Sequence, residues 1–289
     1  MSREPLISIC IPTYDRGPVF DQTIESVIGQ TYTNWELIIS DDASSFDIHE
    51  RLKHFADPRI RIIKQPKNLG IVRNFNAVIA EARGEIIKPL CDDDALHPQC
   101  LEVMVREIGD RSFVVIRDIW YMGDSRPEFA HCDKANLRIA PPELTWDTTR
   151  VDAISPTNIA FTRELWRQLG PYDEKLGFAF DYDFTVRAKA AVETLYILTP
   201  MCIFRCWPGS TTVKNRNPHV VYPDFLATVS KLWAAYPQHR RMLARRVRLV
   251  MLHNGASCAR SLMHLCFKYA SIYFRVTLRL LRYGFALPG

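Results

Sequence analysis

The sequence predicts an α/β protein in which a mostly parallel sheet is flanked by helices and followed by a helical, basic C-terminal region. Three observations support this fold class. Strand-like and helix-like segments alternate over the first 116 residues, acidic side chains follow several of the strand-like segments, and arginines accumulate near the end of the chain. Such alternation is typical of strand-helix units, which build parallel sheets covered by helices.

Short runs of apolar and β-branched residues mark the predicted strands, and the amphipathic stretches between them mark the predicted helices. The strands are expected at Leu6–Ile11, Glu36–Ser40, Ile60–Ile63, Glu85–Leu90 and Phe113–Ile116. The helices are expected near Val19–Gly29, Asp47–Phe55, Ile71–Ala82 and Pro98–Ile108. Four strand-helix units in this order favour one largely parallel sheet.

The second half of the chain is less regular. Prolines interrupt residues 118–150, so short antiparallel strands and a loop are expected there. Regular structure resumes at Ser155–Phe161 and continues as a helix to Leu169, where Gly170 and Pro171 stop it. The later elements are expected as a helix from about Asp181, strands at Thr194–Leu198 and Met201–Cys206, and mostly helix from about His219.

The composition is typical of a folded globular protein, and the patterns of apolar runs and cysteines favour a protein that stays in the cytoplasm. Hydrophobic residues make up 47% and charged residues 24% of the chain, which are ordinary values. No apolar run reaches the roughly 18 residues that a membrane-spanning helix needs, and the run that follows Pro5 is too short for a signal peptide. The eight cysteines contain no CxxC pair, which favours structural thiols over zinc ligands.

Polar residues follow three of the predicted strands. Pro12-Thr13-Tyr14 comes after the first strand, Asp41-Asp42 after the second, and Asp92-Asp93-Asp94 after the fourth. Ligands of such sheets bind outside the carboxyl ends of the strands. Three consecutive carboxylates repel one another unless a cation neutralises them, so the triplet predicts a metal site. For Asp42, capping of the next helix remains an alternative to ligand binding.

These segments resemble, in order and spacing, the motifs of family 2 glycosyltransferases. The resemblance covers roughly residues 5–215 and rests on Ile7–Tyr14, Trp35–Ser44, Asn68–Gly70 with Arg73-Asn74 and Ala82–Glu85, Asp92–Pro98, and Leu169–Glu174 with Asp181–Arg187. It implies a GT-A (Rossmann-like) catalytic domain over residues 1–217. Within it, residues 1–117 would bind the nucleotide sugar and residues 118–217 the acceptor, while residues 218–289 form the basic helical region.

The resemblance also implies a metal-dependent, hexosyltransferase-like enzyme that inverts the anomeric centre and serves surface-polysaccharide biosynthesis. It assigns the general base to Asp181 and a Mn²⁺ or Mg²⁺ ion to the Asp92–Asp94 segment. Asp94 is the first-choice ligand and Asp92 the second, while Asp93 reaches either the metal or the ribose hydroxyls. The implied donor-binding residues are Pro12, Thr13, Tyr14, Asp41, Asp42, Arg73, Asp92 and Asp93. The implied acceptor or lid residues are Asp183, Arg205, Trp207 and Lys214.

Simpler roles remain open for several of these residues. Arg73 is also typical of an exposed helix surface. Asp181 and Asp183 are also typical of the start of a helix, where acids favour the dipole, and the segment from Arg205 to Lys214 is also typical of an ordinary surface turn.

The chain also departs from the family pattern twice. Cys91 stands where many members have an acid two residues before the paired aspartates, and Phe180 stands where Glu often precedes the base. An apolar neighbour such as Phe180 is expected to raise the pKa of Asp181.

The end of the chain is strongly basic. From Arg240 onward there are nine arginines, one lysine and no acidic residue. Arginines recur there at helical spacing among apolar residues, as in amphipathic helices that lie on anionic lipid. This predicts a peripheral protein on the inner face of the cell membrane, although helices packed on the body with a solvated basic face remain open. No nucleic-acid-binding signature accompanies the charge, so nucleic acid is not an expected partner.

The predicted reaction moves a sugar from a nucleotide-diphosphate donor, with a UDP-sugar favoured, to a glycan or polyprenyl-linked acceptor. A sugar-nucleotide nucleotidyltransferase is the alternative enzyme, but only Arg16-Gly17 stands where its glycine-rich phosphate loop is expected. A catalytically degenerate membrane-associated scaffold also remains open because of Cys91. The absence of GxxxxGK and GxGxxG motifs argues against an NTPase and a dinucleotide-dependent oxidoreductase.

Overall fold

A computed structural model describes residues 4–121, 129, 131–143, 155–177, 179–206 and 218–245, with the backbone alone for 218–223. Within these residues the strands are β1 Ile7–Thr13, β2 Trp35–Asp41, β3 Ile60–Lys64, β4 Ile86–Pro89, β5 Ala95–Leu96, β6 Phe113–Tyr121, β7 Leu137–Ala140, β8 Ile159–Thr162 and β9 Thr194–Arg205. The helices are α1 Val19–Ile28, α2 Ile48–Leu52, α3 Ile71–Ala80, α4 Cys100–Ile108, α5 Arg163–Leu169, α6 Phe180–Ala191 and α7 Pro218–Ala235.

The described strands form one mixed sheet in the order β3-β2-β1-β4-β8-β6-β9-β5, and β7 also pairs with β9. The first four strands in this order are parallel. Strand β8 runs antiparallel to β4 and β6, whereas β6 and β9 are parallel to each other. The predicted α/β class is therefore confirmed, with a parallel half at β3-β2-β1-β4 and a mixed half beyond it.

The alternation of side chains along the parallel strands explains how the layers pack. On β1, Ile9 and Ile11 lie in a core shared with α1, α2 and α4, whereas Cys10 lies in a second core shared with α3, α5 and α6. Because successive side chains of a strand point to opposite faces, both faces of this sheet are covered by helices. All six cysteines within the described residues are free thiols, five of them buried, in agreement with the predicted structural role.

Two strands differ from the sequence prediction. The segments expected at Thr194–Leu198 and Met201–Cys206 form one strand, β9, which pairs with β6 in two stretches separated by an irregularity between Ile116 and Asp118. The two predicted strands correspond to these two pairing stretches. Strand β5 was not predicted, since two residues are too few to show a periodic pattern.

Helix α7 packs against α6. Phe225, Val229 and Trp233 of α7 form a third hydrophobic cluster with Tyr182 and Val186 of α6. The described beginning of the C-terminal region thus lies on the body of the protein. The predicted basic helices from residue 246 onward lie outside the described residues. In the part of the chain that is described, no helix combines the length and the apolar character needed to cross a membrane.

Gly84, in the turn before β4, lies where the chain passes close to β1. An ideal Cβ at this position would lie 2.6 Å from the carbonyl oxygen of Leu6 and 2.7 Å from the amide nitrogen of Ser8. We expect Gly84→Ala to lower the free energy of unfolding by about 2–3 kcal/mol, because main-chain atoms must shift. Urea unfolding tests this. Gly17→Ala, where an added Cβ meets nothing within 4 Å, is the control, and an equal effect of both substitutions would contradict the prediction.

Candidate functional site

The candidate site lies at the carboxyl ends of β2, β1 and β4, which are neighbours in the sheet. Thr13 at the end of β1 is paired in register with Asp41 at the end of β2. On the other side, the Thr13 hydroxyl donates a hydrogen bond of 2.8 Å to Asp92 Oδ2, in the loop that follows β4. The polar residues that follow three separate strands in the sequence are thus brought to one edge of the sheet, as predicted from the topology.

Asp41 and Asp42 have different surroundings. Asp41 is 0% exposed, and its Oδ1 accepts a hydrogen bond of 3.1 Å from the amide of Ser44. Its Oδ2 is buried without a hydrogen-bond partner. Such an oxygen is costly to leave unsatisfied, so it marks a place where a ligand donor fits.

Both carboxylate oxygens of Asp42 accept hydrogen bonds from backbone amides. Its Oδ1 accepts from the amide of Leu69 at 2.6 Å, and its Oδ2 accepts from the amide of Gly70 at 2.9 Å. These two bonds hold the turn that leads into α3, where Gly70 has a φ of 81°. Of the two predicted donor-binding acids, Asp41 keeps a carboxylate oxygen without a protein partner, whereas both oxygens of Asp42 fix the neighbouring turn.

In the acidic triplet, Asp92 is held by two protein donors. Besides the Thr13 hydroxyl, it receives the guanidinium of Arg16, whose Nε and Nη2 lie 2.9 and 2.8 Å from Asp92 Oδ1. The Nη1 atom of Arg16 lies 3.4 Å from Asp93 Oδ2. Burial raises the pKa of the Asp92 carboxyl, and the charge of Arg16 opposes that shift. Arg16 therefore supplies positive charge to the triplet.

Asp94 occupies a different place from its two neighbours. It is 1% exposed, its Oδ1 accepts from the backbone amide of Arg205 at 2.8 Å, and its Oδ2 accepts from the hydroxyl of Thr157. Burial and the charge of Asp93 raise the pKa of Asp94 well above its usual range. Both carboxylate oxygens of Asp94 bind protein donors, as both oxygens of Asp92 do, and the preference for Asp94 as the metal ligand stays a prediction.

A divalent cation fits the remaining carboxylates by their chemistry. Mg²⁺ and Mn²⁺ prefer oxygen ligands and often take one or two carboxylates together with substrate phosphates. Asp92 and Asp93 are the oxygen donors gathered around the Arg16 guanidinium. Among the described residues no cluster of three or more acidic, histidine or cysteine side chains is placed to hold a metal ion by itself. Asp92 and Asp93, which face the positive charge of Arg16, are therefore the carboxylates that suit a cation at this position, with the donor supplying further oxygens.

Asp181 lies in the first turn of α6, beside a cluster of aromatic rings. Phe180 packs against Tyr172 and Phe75, with ring centroids 5.0 and 5.7 Å apart. Burial raises the pKa of Asp181 to about 7, and the amide of Tyr182, which donates to Asp181 Oδ1 at 2.7 Å, opposes that shift. The direction agrees with the effect expected from an apolar neighbour. A carboxyl group with such a pKa is suited to accept a proton near neutral pH.

The other predicted site residues have other partners or surroundings. Arg73 is exposed and forms an ion pair with Glu174, and Tyr14 is half exposed, whereas Pro12 is buried within β1. Asp183 forms ion pairs with Arg187 at 2.9 Å and with Lys231 of α7 at 3.1 Å, so it joins α6 to α7.

The predicted lid residues separate into two groups. Arg205 is not part of a surface lid, since it ends β9, is 2% exposed and donates from Nη2 to Gln22 at 2.6 Å. Trp207 and Lys214 lie outside the described residues.

Three site residues were missed from the sequence. Arg16 follows β1, Thr157 lies in a short 3₁₀ turn before β8, and Asp118 lies at the irregularity in β6. Asp118 has a buried Oδ2 without a hydrogen-bond partner, and its charge contributes to the raised pKa of Asp94. For Thr157, the capping box between Ser155 and Asn158 was the available signal. Nothing in the sequence around Asp118 distinguishes it from a surface strand residue.

The fold and this site define a glycosyltransferase of the GT-A type, and comparison with known proteins gives the family. Residues 8–170 match the family model described as glycosyl transferase family 2, so the chain belongs to that family. A putative colanic acid biosynthesis glycosyl transferase, WcaA, of Escherichia coli strain K12 is 34% identical over 129 residues, which are 43% of this chain and 46% of that protein.

Two further relatives extend this comparison. An uncharacterized protein of Sinorhizobium fredii is 31% identical over 224 residues, which cover 73% of this chain but 24% of that protein. The UDP-Glc:alpha-D-GlcNAc-diphosphoundecaprenol beta-1,3-glucosyltransferase WfgD of Escherichia coli is 33% identical over 142 residues, covering 49% of this chain and 54% of that enzyme. The chain thus spans between about a quarter and about half the length of these relatives.

Solved structures confirm the fold. The structure of S. aureus TarS residues 1–349 in complex with UDP superposes with a TM-score of 0.64 at 17% identity and covers 83% of this chain and 70% of that chain. The mannosyltransferase PcManGT of Pyrobaculum calidifontis in complex with GDP-Man and Mn²⁺ superposes with a TM-score of 0.59, also at 17% identity, over 92% of this chain and 76% of that chain.

Proposed function

We propose that this family 2 glycosyltransferase moves a sugar from a nucleoside diphosphate to the hydroxyl of a glycan or lipid-linked acceptor, with inversion at the anomeric carbon. The observation that carries the donor assignment is the buried Oδ2 of Asp41, which has no protein partner. Asp41 is paired in register with Thr13, whose hydroxyl binds Asp92 of the acidic triplet. A carboxylate there accepts hydrogen bonds from a base N–H or from ribose hydroxyls.

A UDP-sugar is the donor that the comparisons favour. S. aureus TarS was solved with UDP and with UDP-GlcNAc, and WfgD is named as a UDP-Glc transferase acting on a diphosphoundecaprenol acceptor. We extend both features to this chain, which gives a UDP-sugar donor and a polyprenyl-linked or glycan acceptor. A peripheral position on the inner face of the membrane, through the basic residues after Arg240, would bring the enzyme to such an acceptor.

In the proposed reaction each described residue has a separate task. Asp41 and Thr13 orient the nucleoside, Asp92 and Asp93 hold the cation-diphosphate end, and Asp181 removes the proton of the attacking hydroxyl as the new glycosidic bond forms. Asp92 and Asp93 would hold a Mn²⁺ or Mg²⁺ ion, whose Lewis acidity would stabilise negative charge on the departing diphosphate. Asp94, through Thr157 and the Arg205 amide, keeps the loop after β4 in place.

Thermal unfolding with UDP, GDP, dTDP and CDP, each with and without Mn²⁺, tests the donor site. A ligand at about 100 times its Kd adds roughly 2.7 kcal/mol to the free energy of unfolding. We expect a Mn²⁺-dependent stabilisation by UDP that is lost in Asp41→Asn. Glu81→Gln, a charge change at the surface pair with Arg61, is the control and should keep the full shift. No stabilisation by any nucleotide would contradict the proposed donor class and favour the scaffold alternative.

A further inference from the structure

Arg16 lies between two carboxylates of the acidic triplet. Its side chain is 17% exposed and contacts Asp92 Oδ1 through Nε and Nη2, at 2.9 and 2.8 Å, and Asp93 Oδ2 through Nη1, at 3.4 Å. A planar guanidinium fork is well suited to carboxylates and is equally suited to phosphate oxygens. The guanidinium of Arg16 therefore places a positive charge between the carboxylates of Asp92 and Asp93. This is the position in which the two carboxylates would bind a divalent cation.

The backbone that carries Arg16 is fixed by the neighbouring loop. Asp15 has a φ of 46°, and its carboxylate accepts hydrogen bonds from the amide and the hydroxyl of Ser45, at 2.7 and 2.8 Å. The amide of Asp15 donates to the Ser44 hydroxyl at 2.9 Å. Ala43, in that second loop, has a φ of 62°. Strained backbone of this kind persists where the surroundings determine it, and it is frequent at ligand sites.

The hydrogen bonds between Asp15 and the loop of Ser44 and Ser45 connect the Asp41 side of the proposed donor site with the Arg16 side. The loop of Ala43, Ser44 and Ser45 follows Asp41, which has the orphaned carboxylate oxygen, and it positions the residue before Arg16. Because Asp15 is anchored, a change in the partners of Arg16 has to come from its long side chain and not from movement of the chain. The guanidinium can exchange one acidic partner for another while its Cα stays in place.

A divalent cation and the guanidinium cannot both lie between Asp92 and Asp93 at these distances. Two unit positive charges about 4 Å apart in a partly buried site repel one another by several kcal/mol, and the double charge of the cation increases this repulsion. The guanidinium must leave the carboxylates when a cation binds them. When a nucleotide sugar is bound, the negative oxygens of its diphosphate give the displaced guanidinium of Arg16 new hydrogen-bond acceptors.

We propose that Arg16 is a resident counter-ion that competes with the divalent cation for Asp92 and Asp93 and is released from them when a nucleoside diphosphate arrives. This inference rests on the proposed function of the site. It makes the cation and the nucleoside diphosphate bind with positive coupling, since the nucleotide removes the competitor from the cation site. Arg16 is thus a positioning residue that keeps the acidic triplet neutralised until a donor is present.

Binding of Mn²⁺ alone, measured from the electron paramagnetic resonance signal of the free ion, tests this proposal. We expect Arg16→Gln to bind Mn²⁺ about 10-fold or more tightly than the wild type, because the competing charge is removed. Arg61→Gln is the matched control: it removes the same charge at a surface pair with Glu81 and should change the Kd by less than about 2-fold. An Arg16→Gln protein that binds Mn²⁺ as weakly as the wild type, or more weakly, overturns the proposal.

A second measurement uses UDP. UDP should tighten Mn²⁺ binding in both proteins, since its diphosphate oxygens bind the ion, but the tightening in the wild type should exceed that in Arg16→Gln by about 10-fold or more, because only the wild type has a competitor to displace. Arg16→Met removes the charge and keeps an aliphatic side chain, so it should also tighten Mn²⁺ binding and provides a test if Arg16→Gln does not fold. A Kd for Arg16→Met that is equal to or weaker than that of the wild type overturns the proposal.

The two experiments separate this inference from the proposed function. Tighter Mn²⁺ binding by Arg16→Gln, together with no response to UDP in either protein, supports the counter-ion role and contradicts the donor assignment. Wild-type binding of UDP with Mn²⁺, together with unchanged Mn²⁺ binding in Arg16→Gln, supports the donor assignment and overturns the counter-ion role. Failure of both proteins to bind Mn²⁺ overturns the counter-ion role outright.

Discussion

Asp181→Asn is expected to lower kcat by about 10³-fold, within the range of roughly 10²–10⁴ that a positioned general base contributes. The amide has nearly the shape of the carboxylate and still accepts from the Tyr182 amide at the position of Oδ1, but it cannot take a proton from the acceptor hydroxyl. Transfer of sugar from a UDP-sugar donor to an acceptor, measured under saturating donor, tests this. Glu193→Gln, just after the same helix in a surface pair with Arg111, is the control and should retain activity.

The pH dependence of the wild type gives a second readout of the same residue. Since burial raises the pKa of Asp181 to about 7 and the ionised form is the base, activity should fall about tenfold per pH unit below that value and level off above it. The free energy of unfolding changes with pH in the opposite direction from the activity. A raised pKa means that folding disfavours the ionised form, so the wild type loses stability as pH rises from about 4 to 7.

Asp181→Asn does not carry that cost and should unfold at the same Tm as the wild type or a higher one at pH 8. Loss of activity with unchanged or raised Tm identifies a chemical role. A variant that keeps more than about a tenth of the wild-type kcat would instead assign Asp181 to the start of α6 alone, where acids favour the helix dipole.

Asp93→Ala is expected to impair activity, whereas Asp94→Ala is expected to impair stability. Asp93→Ala should lower Mn²⁺-dependent transfer by about 100-fold or more with little change in Tm, because it removes a proposed cation ligand. Asp94→Ala should lower the free energy of unfolding by about 2 kcal/mol, because it leaves the Arg205 amide and the Thr157 hydroxyl buried without their acceptor.

Mn²⁺ titration of activity and urea unfolding of both variants separate the two roles. Thr157→Val is a useful partner, since it removes the hydroxyl that donates to Asp94 and keeps the side-chain shape. It should reproduce part of the stability loss of Asp94→Ala and little of the activity loss of Asp93→Ala. If Asp94→Ala loses Mn²⁺ dependence while Asp93→Ala keeps it, the ligand assignment is reversed and the original preference for Asp94 is supported.

The parallel half of the fold could be predicted from the sequence because its signals are local. The apolar runs that became β1 to β4, and the amphipathic segments between them, each fit one period over enough residues to be recognised. The same rule placed Thr13, Asp41 and Asp92 at one edge of the sheet, because the carboxyl ends of parallel strands meet there. Family membership was predicted from these strand ends together with the segments around Asn68–Glu85 and Leu169–Arg187.

The individual roles within the acidic residues could not be predicted, because they depend on partners distant in sequence. Asp41 and Asp42 are neighbours in the chain, yet one has an orphaned oxygen and the other binds the amides of Leu69 and Gly70. Asp94 likewise receives its donors from Thr157 and Arg205, 63 and 111 residues away. No periodicity or spacing within the Asp92–Asp94 segment contains this information.

The attachment of Asp94 has a consequence for how enzymes of this architecture can diversify. One carboxylate ties together the ends of three segments: the loop after β4, the turn before β8 and the last residue of β9. A recombination event that exchanged the acceptor half between relatives would have to carry a hydroxyl at position 157 and a correctly placed amide at position 205. The amide can come from any residue except proline, so this junction constrains the path of the backbone while leaving the side chain at position 205 open to change.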